Sequence, residues 1–172
     1  MLLNVKELSQ FESKKLMDVY EESNIKNIKH FFPECRNQEE GKKKVEEGFL
    51  DYIQNEFFKL ENSSYYLWEE NNISMSAMRF YKIGEGLYFL EALETHPSYR
   101  KNGYAQKLIC SVIEELKKNG DFVLKSYVYP ENIASLKTHK RCGFIEDNDM
   151  AFDYTDNEYV ENVINLIFRY KA

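Results

Sequence analysis

The sequence predicts a mixed α+β fold in which a central, mostly antiparallel sheet is flanked by helices. Three observations carry this. Residues 87–95, Leu-Tyr-Phe-Leu-Glu-Ala-Leu-Glu-Thr, are nearly continuously apolar, the pattern of a strand buried on both faces. A helix with an uninterrupted i, i+3, i+4 ladder follows, built from Ala105, Leu108, Ile109, Val112, Ile113 and Leu116. A strand at 122–129 then completes one strand–helix–strand unit, which implies a parallel pair with the helix packed on the sheet. The other strands read as hairpins, so the rest of the sheet is expected to be antiparallel.

From the N-terminus, residues 2–8 alternate weakly as an opening strand. Phe11, Leu16, Val19 and Tyr20 have helical spacing over about 11–23. Pro33 disfavours helix at Phe32, so a loop is expected from His30 to Pro33. The next helix is expected from about Glu39 to Leu60, with Phe49, Tyr52, Ile53, Phe57 and Leu60 on its apolar face. Its Lys42-Lys43-Lys44 run lies among Glu39, Glu40, Glu46 and Glu47 and reads as a solvated face rather than a phosphate contact. Two strands cover 64–83, with Tyr65, Tyr66, Leu67 and Trp68 as strand formers and Asn71-Asn72 as the turn. Gly84-Glu85-Gly86 leads into a strand, so it reads as a hairpin turn and not as a dinucleotide fingerprint. Asn119-Gly120 ends the long helix. A short helix is expected over about 133–142, with Asn132 as N-cap and Gly143 as stop. Strands at about 144–153 and 161–170 close the chain, giving the order β-α-α-β-β-β-α-β-α-β-β.

A length of 172 residues favours a single domain over 1–172. With 43% apolar and 30% charged residues, a packed core under a polar surface is affordable. Lys and Arg number 23 against 29 Asp and Glu, a net charge of −6, which argues against general nucleic-acid binding. Cys35, Cys110 and Cys142 are widely spaced and form neither a disulfide framework nor a zinc site; free thiols fit a reducing compartment. No apolar run approaches the roughly 18–20 residues that cross a bilayer, and Lys6 and Glu7 bring charge too early for a signal peptide. The expectation is a cytoplasmic protein with no membrane partner. No metal-ligand cluster or Ser/His/Asp order stands out, and no metal is expected.

The turn from Arg100 to Ala105 is the most informative stretch. It opens a helix, whose start offers unpaired N–H groups and partial positive charge. Gly103 permits close backbone approach, and Arg100 and Lys101 add two charges. This is the composition of a phosphate cradle; a tight turn that merely needs a glycine explains the same residues.

Arg100-Lys101-Asn102-Gly103-Tyr104-Ala105 resembles the Arg/Gln-x-x-Gly-x-Gly/Ala pyrophosphate loop of the GNAT superfamily of acyl-CoA-dependent N-acetyltransferases, and Leu93-Glu94-Thr95-His96-Pro97 is similar to the strand end that precedes it. Further on, Asn132-Ile133-Ala134-Ser135-Leu136-Lys137-Thr138-His139-Lys140-Arg141-Cys142-Gly143-Phe144 resembles that family's N-x-x-S/A-x-x-x-Y/H-x-x-x-G-F signature. The resemblance implies a GNAT-like fold and transfer of an acetyl group from acetyl-CoA to a primary amine, favoured as that of a small molecule, by direct attack, with coenzyme A as product. It implies that Arg100, Lys101, Asn102, Gly103, Tyr104 and Ala105 hold the pyrophosphate. The pantetheine arm would lie between strands 87–95 and 122–129. Backbone groups from Leu93 to Thr95 would hold the acetyl carbonyl, and Asn132 and Ser135 would contact the coenzyme arm. His139 stands where many members carry a Tyr that protonates the departing thiolate; members resembling phosphinothricin acetyltransferases carry His there.

Glu91 interrupts the alternation of Leu87, Phe89, Leu93 and Thr95, and a carboxylate on an apolar face is a candidate general base for an ammonium. The competing reading is a structural pair with Lys or Arg. Glu94 falls on the opposite face of the strand by the same alternation. His139 is a candidate acid or coenzyme contact, with a surface helix histidine as the rival, while His30 and His96 read as structural loop residues. Cys142 reads as a small apolar filler. Glu146, Asp147, Asp149, Asp153, Asp156, Glu158 and Glu161 form an acidic stretch without Lys or Arg, either a solvated hairpin loop or a rim that attracts a cationic acceptor. The rival functions are a non-catalytic acyl-CoA-binding or sensing domain and an unrelated interaction domain; monomer and homodimer are both open.

Overall fold

The computed structural model describes residues 1–172. The strands are β1 (Leu2–Val5), β2 (Ser63–Glu70), β3 (Ile73–Gly84), β4 (Leu87–Thr95), β5 (Phe122–Val128), β6 (Ile145–Glu146), β7 (Ala151–Asp153), β8 (Glu158–Val160) and β9 (Ile164–Tyr170). The helices are α1 (Ser13–Val19), α2 (Glu21–Phe31), α3 (Gln38–Asn55), α4 (Tyr104–Lys117) and α5 (Ile133–Arg141). Seven strands form one sheet in the order β1-β2-β3-β4-β5-β9-β6. Every neighbouring pair in it is antiparallel except β4 with β5, as the one strand–helix–strand unit requires. The β7–β8 hairpin stands apart as a second, two-stranded sheet.

Alternation along the central strands feeds two cores. Tyr65, Leu67, Ala77, Tyr81 and Phe89 face Leu16, Val19, Ile53 and Phe57 on one side. Tyr66, Met78, Phe80 and Leu90 face Leu108, Ile109, Val112 and Ile113 of α4 on the other. β4 is therefore covered on both faces, the reason for its continuous apolar sequence. Asn71 and Asn72 have φ of 50° and 62°, the left-handed pair that a two-residue hairpin turn demands. Asn132 caps α5 by accepting from the Ser135 N–H at 3.1 Å, and Gly143 follows the helix with φ 91°.

Four expectations are corrected. The single helix over 11–23 is two, α1 and α2, broken at Tyr20 (φ −91°, ψ 10°), and α2 runs on through Phe31. His30 is thus helical and not in a loop, because Pro33 constrains only the residue before it. The helix from Glu39 ends at Asn55, followed by a short 3₁₀ turn at Phe57–Lys59. The strand over 144–153 is interrupted: β6 pairs with β9, whereas β7 pairs only with β8. The polar run from Asp147 to Asp149 makes the break, tied by Asn165 Nδ2 donating to the Asp149 carbonyl at 3.1 Å.

Candidate active site

The start of α4 leaves backbone N–H groups open to an anion. Gly103 is the N-cap residue, with φ 79°, and no side chain caps the helix, so first-turn N–H groups keep no capping partner. Lys101 also has positive φ, 64°. A Cβ built on Gly103 would meet nothing within 4 Å, so the space before the helix is open. The remaining loop residues are committed differently. Asn102 Nδ2 donates to the carbonyls of Tyr99 (3.1 Å) and Arg100 (3.3 Å), fixing the turn. The Tyr104 hydroxyl donates to Glu70 at 3.1 Å, and Ala105 is half-buried. Arg100 Nη1 is 2.6 Å from Glu22 of α2, and its Nη2 is 3.8 Å from Glu94, so this guanidinium leans away from the turn, toward the other face of the sheet.

Beside this turn the sheet splits. β4 and β5 pair only over Leu87, Tyr88 and Phe89, opposite Val123, Leu124 and Lys125, so beyond Phe89 the two strands diverge. Leu93 and Thr95 lie on the open part of β4. Leu93 packs toward the α4 core. Thr95 pairs with Ser76 of β3 and accepts from Arg100 Nε at 3.4 Å. Tyr129 and Ile133, at the far end of β5 and the start of α5, are 58% and 52% exposed, an apolar surface beyond the splay.

The decisive local feature is Ala92. Its φ is 48°, a left-handed conformation that costs a residue with a Cβ, and the β3–β4 register slips there, between Arg79↔Glu91 and Ala77↔Glu94. The bulge is pinned by the Tyr20 hydroxyl, which donates to the Ala92 carbonyl at 2.6 Å. It re-aims the end of the strand. Glu94 was expected opposite Glu91; the extra residue brings both carboxylates to the same face and sends Leu93 to the α4 side.

Glu94 borders a cavity of about 650 Å³ walled by α2, α3 and the bulge. Burial raises the pKa of its carboxyl above the ordinary 4.5, against the opposing hydrogen bond from Ser23 and the charge of Arg100. Asn24, Phe31, Phe49 and Tyr52 contribute to the walls.

Glu91 is held differently. It forms an ion pair with Arg79 Nε at 3.1 Å, with both side chains under 20% exposed, although the alignment is poor for a hydrogen bond from Nε. It also accepts from the Tyr81 hydroxyl and from Thr155 Oγ1 at 3.0 Å, the latter on the turn between β7 and β8. Arg79 Nη1 donates to the Tyr52 hydroxyl at 2.9 Å. Burial opposes the Arg79 charge, yet Glu91 and the surrounding tyrosines hold its pKa above the usual value. The pair with a basic residue that one reading of Glu91 expects is present, and its partner is Arg79. Replacing Arg79 with Leu strands a half-buried carboxylate, and equilibrium unfolding in urea is expected to show a loss of about 3–5 kcal/mol.

His139 is not a surface residue: it is 1% exposed and its ring packs edge-on to Phe144 at 5.1 Å. Nδ1 lies 2.9 Å from the Ser135 carbonyl, an arrangement that needs the proton on Nδ1. Burial lowers its pKa, so the neutral ring leaves Nε2 as a proton-free acceptor without a partner. That tautomer has no proton on Nε2 to give a thiolate. The unfolded chain binds a proton here near pH 6.5 and the folded chain does so only at lower pH, so stability falls as pH drops below about 6.5. Thermal melts between about pH 7 and pH 5 are expected to show a smaller loss for His139→Phe than for the wild type. Ser135 Oγ is 3.4 Å from His139 Nδ1, which ties Ser135 and Asn132 to the start of α5.

The acidic stretch does not border this cavity. Asp153 is buried and accepts from the Tyr127 hydroxyl at 2.6 Å and from the Thr155 and Asp156 N–H groups. Glu146 pairs with Lys140 at 2.7 Å. Asp147, Asp149 and Glu161 line a separate depression that shares no residue with the cavity at Glu94.

A family model described as the acetyltransferase (GNAT) family matches residues 25–144. Among solved structures, the chain is similar to the PaiA N-acetyltransferase from Thermoplasma acidophilum in complex with coenzyme A, at 13% identity over 99% of both chains with TM-score 0.63. It is similar to a GNAT-family acetyltransferase from Staphylococcus aureus Mu50, at 12% identity over 98% of this chain and 99% of that one with TM-score 0.61. It is also similar to the ribosomal-protein-S18-alanine N-acetyltransferase from Escherichia coli, at 19% identity over 100% of this chain and 96% of that one with TM-score 0.59. At these identities the likeness is one of fold. The matched segment takes in the splay between β4 and β5, the bulge at Ala92 and the uncapped start of α4, and the chain belongs to the GNAT family of acetyltransferases.

Proposed function

We propose that this protein transfers an acetyl group from acetyl-CoA to a primary amine of a small molecule, by direct attack in a ternary complex. The observation that supports the reading is that two sites meet at one strand. β4 parts from β5 beside the uncapped start of α4, and the bulge in the same strand turns Glu94 into a walled cavity.

In this reading the pyrophosphate is held by the N–H groups from Lys101 to Ala105 and the positive end of α4. The β4 backbone from Leu93 to Thr95 orients the acetyl carbonyl. Acetyl-CoA supplies an acyl group already activated as a thioester. The amine arrives as ammonium, whose nitrogen has no free lone pair, so a proton must leave before attack. Glu94 takes that proton; its burial raises its basicity toward this task. The nitrogen then bonds to the thioester carbon, the carbon–sulfur bond breaks with its electrons on sulfur, the nitrogen loses its second proton, and solvent protonates the thiolate. Glu91 acts as a positioning residue, locking Arg79 and the β7–β8 turn beside the site. His139 holds α5 in place, and Asn132 and Ser135 shape the start of that helix next to the coenzyme arm.

Acetyl-CoA at about 100 times its Kd is expected to stabilise the fold by roughly 2.7 kcal/mol, a rise in Tm on the order of 5–10 °C for a chain of this size. Coenzyme A release should then depend on an added primary amine. Absence of any acetyl-CoA binding to the folded protein would overturn the proposal. Asp147→Asn with Asp149→Asn should leave the KM of the best acceptor unchanged, because these carboxylates lie outside the cavity.

A further inference from the structure

The middle of α3 contains a glycine whose presence the fold does not explain. Gly41, one end of the same helix, is accounted for by packing: a Cβ there would stand 2.7 Å from Ile28 Cγ2. Gly48 is different. It lies in the interior of the 18-residue helix, where glycine weakens a helix relative to any ordinary residue. Its φ is not in the left-handed region, and a Cβ built on it would meet nothing within 4 Å. It lines the cavity that holds Glu94, at its solvent-exposed edge. The helix thus gives up stability to leave space open above one position of the cavity wall.

The rest of the wall describes what that space takes. Phe49 and Tyr52 of α3 and Phe31 at the end of α2 line it, and Phe31 is 59% exposed at the rim, an apolar ring that an apolar guest would cover. Glu94 is the one carboxylate of the lining. Both lining cations already have partners, Arg79 in Glu91 and Lys44 in Glu40 at 2.7 Å. One ammonium is accommodated at Glu94; a second positive charge would meet Arg79 or Lys44 and no free acid. The cavity's upper walls are helix faces whose backbone groups are used internally, so an extended peptide finds no strand edge there to pair with. A volume of about 650 Å³ suits a small molecule.

We propose that the acceptor is a monocationic amine on an aromatic or comparably bulky apolar body, with its ammonium at Glu94 and its body in the space left by Gly48. Gly48 is then the residue that sets acceptor size. This rests on the acetyl-transfer reading above, which names the cavity as the acceptor site.

The test compares the wild type with Gly48→Leu on 2-phenylethylamine, diaminobutane and an alanyl tripeptide. The wild type is expected to favour 2-phenylethylamine in kcat/KM by about tenfold or more, the worth of burying one ring. Gly48→Leu is expected to lower that value by about tenfold or more, chiefly through KM, with acetyl-CoA affinity unchanged and Tm not reduced, since leucine is the better helix former. Preference for the diamine or the peptide would overturn the proposal, as would an unchanged KM in the variant. Calorimetric titration of 2-phenylethylamine into the coenzyme A-bound protein keeps the two readings apart. Binding that Gly48→Leu weakens supports this proposal even where no transfer is seen, a result that overturns only the acetyl-transfer reading. Absence of binding to the wild type overturns this proposal.

Discussion

Glu94→Gln is expected to lower kcat by roughly 10²- to 10⁴-fold, the usual worth of a positioned general base, with little change in acetyl-CoA binding. The pH dependence gives the sharper signature. Glu94 accepts a proton only as the carboxylate, so kcat/KM falls as pH drops through its pKa. Burial holds that pKa above the ordinary carboxylate value, so the acidic limb of the wild-type profile should lie above about pH 4.5, the ordinary carboxylate region. Glutamine cannot titrate, and the limb should vanish with the activity. Glu91→Gln provides the contrast: it weakens the pair with Arg79 and should reduce stability while keeping the limb. An acidic limb that disappears with Glu91→Gln and survives Glu94→Gln would reverse the two roles.

Gly103→Glu should abolish acetyl-CoA binding. The space before Gly103 is open, so the new carboxylate can occupy the uncapped N–H groups of α4 in place of the pyrophosphate. It also repels that phosphate charge. The φ of 79° adds a strain of about 1–2 kcal/mol for a residue with a Cβ, too little to unfold a domain of ordinary stability. Gly103→Asn separates strain from charge, since asparagine tolerates the left-handed region and is uncharged. It should retain binding, and calorimetric titration of both variants reads the difference. Equal loss in the two would assign the effect to backbone strain alone.

The parts of this molecule legible in the sequence are those that repeat. The ladder from Leu108 to Leu116 and the apolar run at 87–95 identified α4, β4 and the parallel pair, because periodicity reports directly on which faces are buried. Asn132 and Gly143 marked the limits of α5 through capping chemistry that is local to the chain. Ala92 carried no such signal. Alanine rarely takes positive φ, and what holds it there is the hydroxyl of Tyr20, distant in sequence. Strict alternation past that point therefore placed Leu93 and Glu94 on the wrong faces. The break between α1 and α2 escaped for a related reason, since Glu21 and Glu22 continue a helical composition across Tyr20. The cavity has only two sequence traces, the mid-helix Gly48 and the Phe31-Phe32 pair at a helix end, and neither reads as a pocket until α2 and α3 are seen to face β4. Asp153 shows the opposite error: an acid counted with a solvated hairpin loop or an acceptor rim is buried as the hydrogen-bond anchor of Tyr127 and the β7–β8 turn.

Direct acetyl transfer to an amine is tested by following both products of one reaction. Acetyl-CoA and a primary amine are incubated with the wild type and with Glu94→Gln, thiol release is read continuously, and the amine and the protein are weighed by mass spectrometry. Direct transfer requires one acetyl group on the amine for each thiol released, no acetyl group on the protein when the amine is left out, and both products suppressed together in Glu94→Gln. Thiol release with the acetyl group captured on the protein, or tight acetyl-CoA binding with no acetylation of any amine offered, would contradict it.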